Sequence, residues 1–341
     1  MRTVRALAAT GISVALVLAG TAATAAGPVT PQRDTALTVN IPVRTVNTPN
    51  GNGLNGTMLM KVGDSAPIRV IVDTGFSGLV LFPGAWQRTP AGVILSSETE
   101  RVSLPNGSRV RGTRGFATMG FSGITTTEAI PFVYSNSSSR YFNAWAKRGV
   151  YGLLGIGTKG GGSMVNPLTA LPGTVSKHWS IHFDRRGTSG ALVLGAQAPT
   201  NATMTFSLPP NGENSVGAQL WDDQAATGCW TFAEGEERCV DTWFDAAFTK
   251  MRVVGSDFAD LRTNRKGLLR VGTPVALAAP GAAFYGDSFI AKRQASNNLV
   301  KVIPRGDSLI NTGNSFYFDY TLTYDLVTGR ISVGDPVRKA A

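Results

Sequence analysis

The sequence predicts an all-β fold in two lobes, and three observations carry that reading. Short apolar runs bounded by Gly, Pro, Asn and Ser recur along most of the chain, helical periodicity is scarce, and a weak repeat relates one half to the other. The runs are Leu37-Val43, Thr57-Val62, Ile68-Val72, Leu79-Phe82, Ala129-Tyr134, Ala191-Leu194, Met204-Leu208, Met251-Val254, Val271-Leu277 and Tyr320-Tyr324. Each is short enough for a strand and too short for a helix of ordinary length. The better helix candidates are Met164-Lys177 and Thr242-Lys250.

The first 26 residues read as a leader rather than as part of the fold. Met1-Arg2-Thr3-Val4-Arg5 is a basic start, Ala6 to Gly20 is apolar, and Ala23-Thr24-Ala25 fits a small-residue cleavage site, so cleavage is expected near Ala25-Ala26. The apolar stretch is short and Ala-rich for a membrane span, and no later stretch is longer. The expectation is an exported protein, secreted or on the exterior of the cell envelope, with no membrane span and working as a monomer. Ala198-Pro199 and Leu208-Pro209-Pro210-Asn211-Gly212 mark a connection near the middle. The implied organisation is a leader at 1–26, a short segment at 27–36, a β lobe at 37–197, a second at 198–337, and a tail at 338–341.

A net charge of +10 favours acidic surfaces, but Lys and Arg are spread mostly singly and never form a run beyond a pair, which argues against a nucleic-acid partner. The two cysteines, Cys229 and Cys239, are expected to form one disulfide closing a hairpin around Ala233-Glu234-Gly235-Glu236. Two ligands at this spacing do not make a zinc site, so no metal is expected.

Chemistry enters at Val72-Asp73-Thr74-Gly75, at the end of one apolar run and just before another. A carboxylate at the tip of a buried strand sits in a low-dielectric setting where its pKa is tunable. Thr and Gly suit the sharp turn behind it. The same triplet also reads as an ordinary turn. A second Asp-Thr pair, Asp241-Thr242, follows the strand-like Cys239-Val240. Each pair is followed by a glycine-bearing apolar segment, Gly152-Leu153-Leu154-Gly155-Ile156-Gly157 in the first half and Leu309-Ile310-Asn311-Thr312-Gly313 in the second, placed to pass beneath the Asp loop.

With those segments in order, the chain resembles a divergent bacterial member of the pepsin-like aspartic proteases. Val72 to Val80 looks like the first active-site loop, and Leu104-Pro105-Asn106-Gly107-Ser108 falls where the flap hairpin belongs, with Asn-Gly a strong tight-turn signal in its own right. Trp179 to Asp184, Ser189 to Gly195, and Gly313 to Val333 resemble further strands of that fold. The resemblance implies a bilobal pepsin-like fold with pseudo-two-fold related lobes and a cleft between them. It implies catalysis by Asp73 and Asp241, supported by Thr74, Gly75 and Thr242, under a flap carrying Leu104, Asn106 and Gly107. Two facing carboxylates share one proton, so a bound water attacks the scissile bond with no metal or other cofactor. The implied partner is a peptide or protein substrate.

The sequence departs from that family in three places. Trp243 follows Asp241-Thr242 where the family has Gly, Phe76 and Phe244 stand three residues after the two Asp positions where a hydroxyl is usual, and Leu104 holds the flap position usual for Tyr. Two readings therefore remain: an aspartic endopeptidase, and a catalytically silent module of the same fold that binds a peptide or polysaccharide. If Asp241 only caps a helix, Asp245 is the next candidate for the second carboxylate. Gly306-Asp307-Ser308-Leu309 spells an esterase motif, but both histidines, His178 and His182, precede it and no βα alternation is visible.

Overall fold

Short strands separated by glycine-bearing turns account for most of the chain. They are seen in a computed structural model that describes residues 37–51, 53–104, 107–137, 139–160, 162–199, 202–281, 286–291 and 297–336. The expected leader and its cleavage site, the segment at 27–36, Asn106 and the tail at 338–341 lie outside the described residues. In the first half the elements are β1 (Val39–Asn47), β2 (Leu54–Val62), β3 (Ile68–Asp73), β4 (Ser77–Leu81), β5 (Val93–Ser103), β6 (Arg109–Ala117), β7 (Met119–Phe121), β8 (Ile124–Thr125), β9 (Ile130–Ser135), α1 (Arg140–Ala146), β10 (Gly152–Ile156), β11 (His178–His182) and β12 (Gly190–Leu194). The second half adds β13 (Met204–Ser207), β14 (Pro210–Glu213), β15 (Gln219–Trp221), β16 (Ala226–Phe232), β17 (Arg238–Trp243), β18 (Lys250–Val254), β19 (Pro274–Ala278), β20 (Gly286–Ile290), β21 (Leu299–Ile303), β22 (Leu309–Asn311), α2 (Phe316–Asp319), β23 (Tyr320–Asp325) and β24 (Arg330–Pro336).

Each half builds its centre from the same five-strand motif. In the first, β2 pairs antiparallel with β3, β10 lies between β3 and β4, and β9 runs parallel to β4. In the second, β16, β17, β22, β18 and β21 take those places with the same directions. Strand β10 is parallel to β3 and antiparallel to β4, and β22 relates to β17 and β18 in the same way. The chain thus crosses beneath each of the loops 74–76 and 244–249, as the glycine-bearing segments led us to expect. In the first half β3, β4 and β10 are covered on both faces, so their sequences read as nearly continuous apolar runs. Val70, Val72, Leu79, Leu81, Leu154 and Ile156 are buried in one motif, and Met251, Val253 and Ile310 in the other.

The fold is all-β and bilobal. A third set of strands joins the halves: β13, β24, β23, β11, β12 and β1 are neighbours in one sheet, so strands from both ends of the chain close on its middle. Trp179 on β11 stacks on Tyr324 of β23 at that junction, with ring centroids 5.9 Å apart. The disulfide forms as expected, linking β16 to β17 where Cys229 and Cys239 stand opposite one another.

Neither expected helix forms. Residues 164–177 contain two single turns, Pro167–Ala170 and Gly173–Ser176. Leu171 between them is extended, as the Pro172 ring requires of the residue before it. Thr242–Lys250 is instead the end of β17, a loop, and the start of β18. The longer helix that does form, α1, has no helical signal in the sequence reading, and α2 is a single turn. Helix α1 is capped by Ser139, whose hydroxyl accepts from Phe142 N at 3.1 Å, and it buries Phe142 and Trp145. Among the described residues no helix is long and apolar enough to cross a membrane.

Candidate active site

Strand β3 delivers Asp73 to the centre of the molecule. Every residue of β3 but Arg69 is buried, and the strand stops at Asp73, 2% exposed. Gly75 N donates to Asp73 Oδ1 at 2.8 Å, which turns the backbone sharply into β4. Gly75 is required here by close approach: a Cβ at this position would lie 3.0 Å from the Asp245 carboxyl carbon and 3.0 Å from the Trp243 indole.

Strand β17 delivers Asp245, not Asp241, to the same place. Asp241 is exposed on β17, paired with Thr227 on one side and Leu309 on the other. Thr242 turns inward, but its hydroxyl accepts from Trp230 Nε1 at 2.8 Å and donates to Val240 O, inside the second lobe rather than at the site. The strand runs on to Trp243 before the loop turns at Phe244, so the carboxylate that meets Asp73 comes four residues after Asp241. Asp245 is 1% exposed. Its Oδ1 accepts from Ala247 N and Phe248 N, each at 3.0 Å, and its Oδ2 accepts from Asn311 Nδ2 at 2.7 Å.

The loops are locked to each other through Thr74. Its hydroxyl donates to Phe244 O at 2.8 Å and accepts from Ala246 N at 2.9 Å, and Tyr317 OH lies 2.7 Å away. Tyr317 OH in turn meets Tyr324 OH at 2.8 Å. In the second loop Ala246 and Ala247 stand where Thr74 and Gly75 stand in the first, so no hydroxyl returns the lock from that side. Buried asparagines brace the second loop instead: Asn55 Nδ2 donates to Ala247 O, and Asn314 bonds Asn55, Asn297 and Leu54 O.

Burial, then the nearby Asp245 charge, pushes the Asp73 carboxyl well above the usual carboxylate range. Burial also raises Asp245, opposed by the donors Asn311, Ala247 and Phe248. A third buried carboxylate, missed in the sequence, lies close by. Asp223 accepts from Thr158 N at 2.5 Å, and burial pushes it up to about 7.

Two cavities flank the carboxylates. One of about 270 Å³ is lined by Asp73, Asp245, Ile71, Tyr141, Trp145 and Leu104. The other, about 410 Å³, is lined by Gly75, Phe76, Trp243, Asp223, Lys159 and Leu104. Leu104 borders both, at the tip of the β5–β6 hairpin, where Gly107 N donates to Leu104 O at 2.9 Å and Gly107 has φ 81°. That hairpin was expected.

The architecture is that of a bilobal, two-loop aspartic-proteinase fold. The aspartic proteinase from Irpex lacteus superposes on 89% of this chain and 99% of its own length with a TM-score of 0.62, at 16% sequence identity. No protein-family model matches the chain, and no curated protein sequence matches it.

Proposed function

We propose that this chain is an exported aspartic endopeptidase whose catalytic pair is Asp73 and Asp245. The observation that supports it most is the burial of two carboxylates side by side, each on a loop over its own crossing strand, in a cleft with room on both sides. One member is ionised and takes a proton from a bound water, while the other is protonated and polarises the scissile carbonyl. The peptide lies beneath Leu104, with an apolar side chain in the cavity lined by Ile71, Tyr141 and Trp145.

The test is digestion of a denatured protein between about pH 3 and 6, with and without a pepstatin-type inhibitor. Inhibitor-sensitive cleavage that is lost in Asp73→Asn and in Asp245→Asn, and kept in Asp241→Asn, supports the assignment. Cleavage that survives Asp245→Asn overturns it. The second reading, a silent module that binds a peptide, is favoured by the absence of a hydroxyl from Ala246, Phe76 and Phe248. Peptide binding without cleavage at any pH would establish it.

A further inference from the structure

The two central carboxylates are held unequally. Among the described residues, Asp73 accepts a single hydrogen bond, from Gly75 N. Asp245 accepts three, and the third comes from a side chain, Asn311 Nδ2 at 2.7 Å. The orientation of that amide is fixed from its other end, because Gly313 N donates to Asn311 Oδ1 at 2.8 Å and leaves only the NH₂ to face Asp245. Asn311 is itself buried, on β22, in register with Trp243 of β17. On the first-lobe side, the position of the crossing strand β10 that matches Asn311 is Leu153, in register with Ile71 as Asn311 is with Trp243. Its apolar side chain has no hydrogen to donate to Asp73.

An NH₂ group donates and never accepts, so in low dielectric it favours the charged carboxylate over the neutral acid. We propose that the Asn311 amide fixes Asp245 as the ionised member of the pair and keeps the shared proton on Asp73. The surrounding charges point the same way. Arg252 of β18, opposite Asn311 in register, is the cation that favours ionised Asp245, while Asp223 adds negative potential at Asp73. Tyr317 and Tyr324 stay neutral, held up by burial, and Tyr141 and Lys250 complete the titratable lining of the cavity.

The catalytic meaning of this asymmetry rests on the peptidase reading. Asp245 removes the water proton as the water oxygen bonds to the carbonyl carbon, and Asp73 gives its proton to the carbonyl oxygen. The resulting diol breaks at C–N when Asp245 passes its proton to nitrogen and a diol proton returns to Asp73. Asn311 is a positioning residue, since it touches Asp245 and not the substrate.

The experiment is a pH titration of the full chain carrying ¹³Cγ-labelled Asp, with the two signals assigned by their loss in Asp73→Asn and Asp245→Asn. In the unsubstituted protein the Asp245 signal should be that of a carboxylate at pH values where Asp73 is still a carboxylic acid. Asn311→Ala should move the Asp245 midpoint up by about one to two pH units, the strength of a hydrogen bond to a charged group. The acid limb of peptide cleavage should move with it, and Asn311→Ser should restore part of the shift. Ionisation of Asp73 before Asp245, or an unmoved Asp245 midpoint in folded Asn311→Ala, overturns the proposal. If Asn311→Ala fails to fold, the order of ionisation in the unsubstituted protein decides alone. Because the titration needs no turnover, the expected order without any cleavage would sink the peptidase reading and leave the asymmetry standing. Cleavage with the order reversed would do the opposite.

Discussion

The hydroxyls of Thr74 and Tyr317 meet at 2.7 Å beneath both carboxylate loops, and Tyr317 supplies from the C-terminal half a hydroxyl that Ala246 lacks. The arrangement is a hydrogen-bonded line from Tyr324 through Tyr317 and Thr74 to Phe244 O, all of it buried. Removing one hydroxyl from such a line leaves a buried partner unsatisfied. Tyr317→Phe is expected to lower stability by about 1–3 kcal/mol, read as a drop in Tm or in the denaturant midpoint. An unchanged midpoint would show that Thr74 needs no third partner.

Gly75→Ala tests close approach. The new methyl group would sit 3.0 Å from the Asp245 carboxyl carbon and from the Trp243 indole, so one of them has to yield. Peptide cleavage should fall at least about tenfold, the effect of roughly 1.4 kcal/mol on a barrier, while the protein stays folded by circular dichroism.

Stability should decline as pH rises. Asp73, Asp245 and Asp223 all have raised pKa values in the folded state, so the folded chain binds more protons than the unfolded chain above the ordinary Asp value of 3.8. Their contribution is complete below that value and is lost as pH climbs through the folded values, which for Asp223 means through about 7. Asp223→Asn keeps an acceptor for Thr158 N and should flatten the fall between about pH 4 and 7. Denaturation midpoints taken across that range check it.

Reduction of the Cys229–Cys239 bond should lower stability by about 2.5–3 kcal/mol through the entropy of the loop it closes. Its sequence separation is 10. The bridge spans β16 and β17 away from the carboxylates, so any cleavage measured well below the melting temperature should persist after reduction.

Much of the fold was legible because buried strands announce themselves as apolar runs. Ten such runs fall on strands, and the two crossing segments were identified by their glycines and apolar residues. Asp73 was legible for the same reason, standing at the end of a continuous apolar strand. The second carboxylate is not marked by Asp-Thr: Asp241 is exposed and Asp245 is buried beside Asp73. Strand β17 alternates between half-buried and exposed positions as far as Asp241, so Asp241 faces water although the pair Asp241-Thr242 copies Asp73-Thr74. The better signal was the apolar pair Trp243-Phe244 leading into Asp245, followed by two small residues, as Ile71-Val72 lead into Asp73. Asn311 and Tyr317 were not legible at all, since nothing local shows that β22 and α2 bring them beneath loops far away in the chain.

The six-stranded layer that joins the lobes sets an order of events for the growing chain. Strand β11 is flanked by β12 on one side and by β23, far later in the chain, on the other. Until Tyr320–Asp325 arrive, β11 offers an open edge to any neighbouring strand. A nascent first half is therefore an aggregation hazard rather than a finished lobe, and a chain cut before β23 should yield insoluble material rather than half a protein.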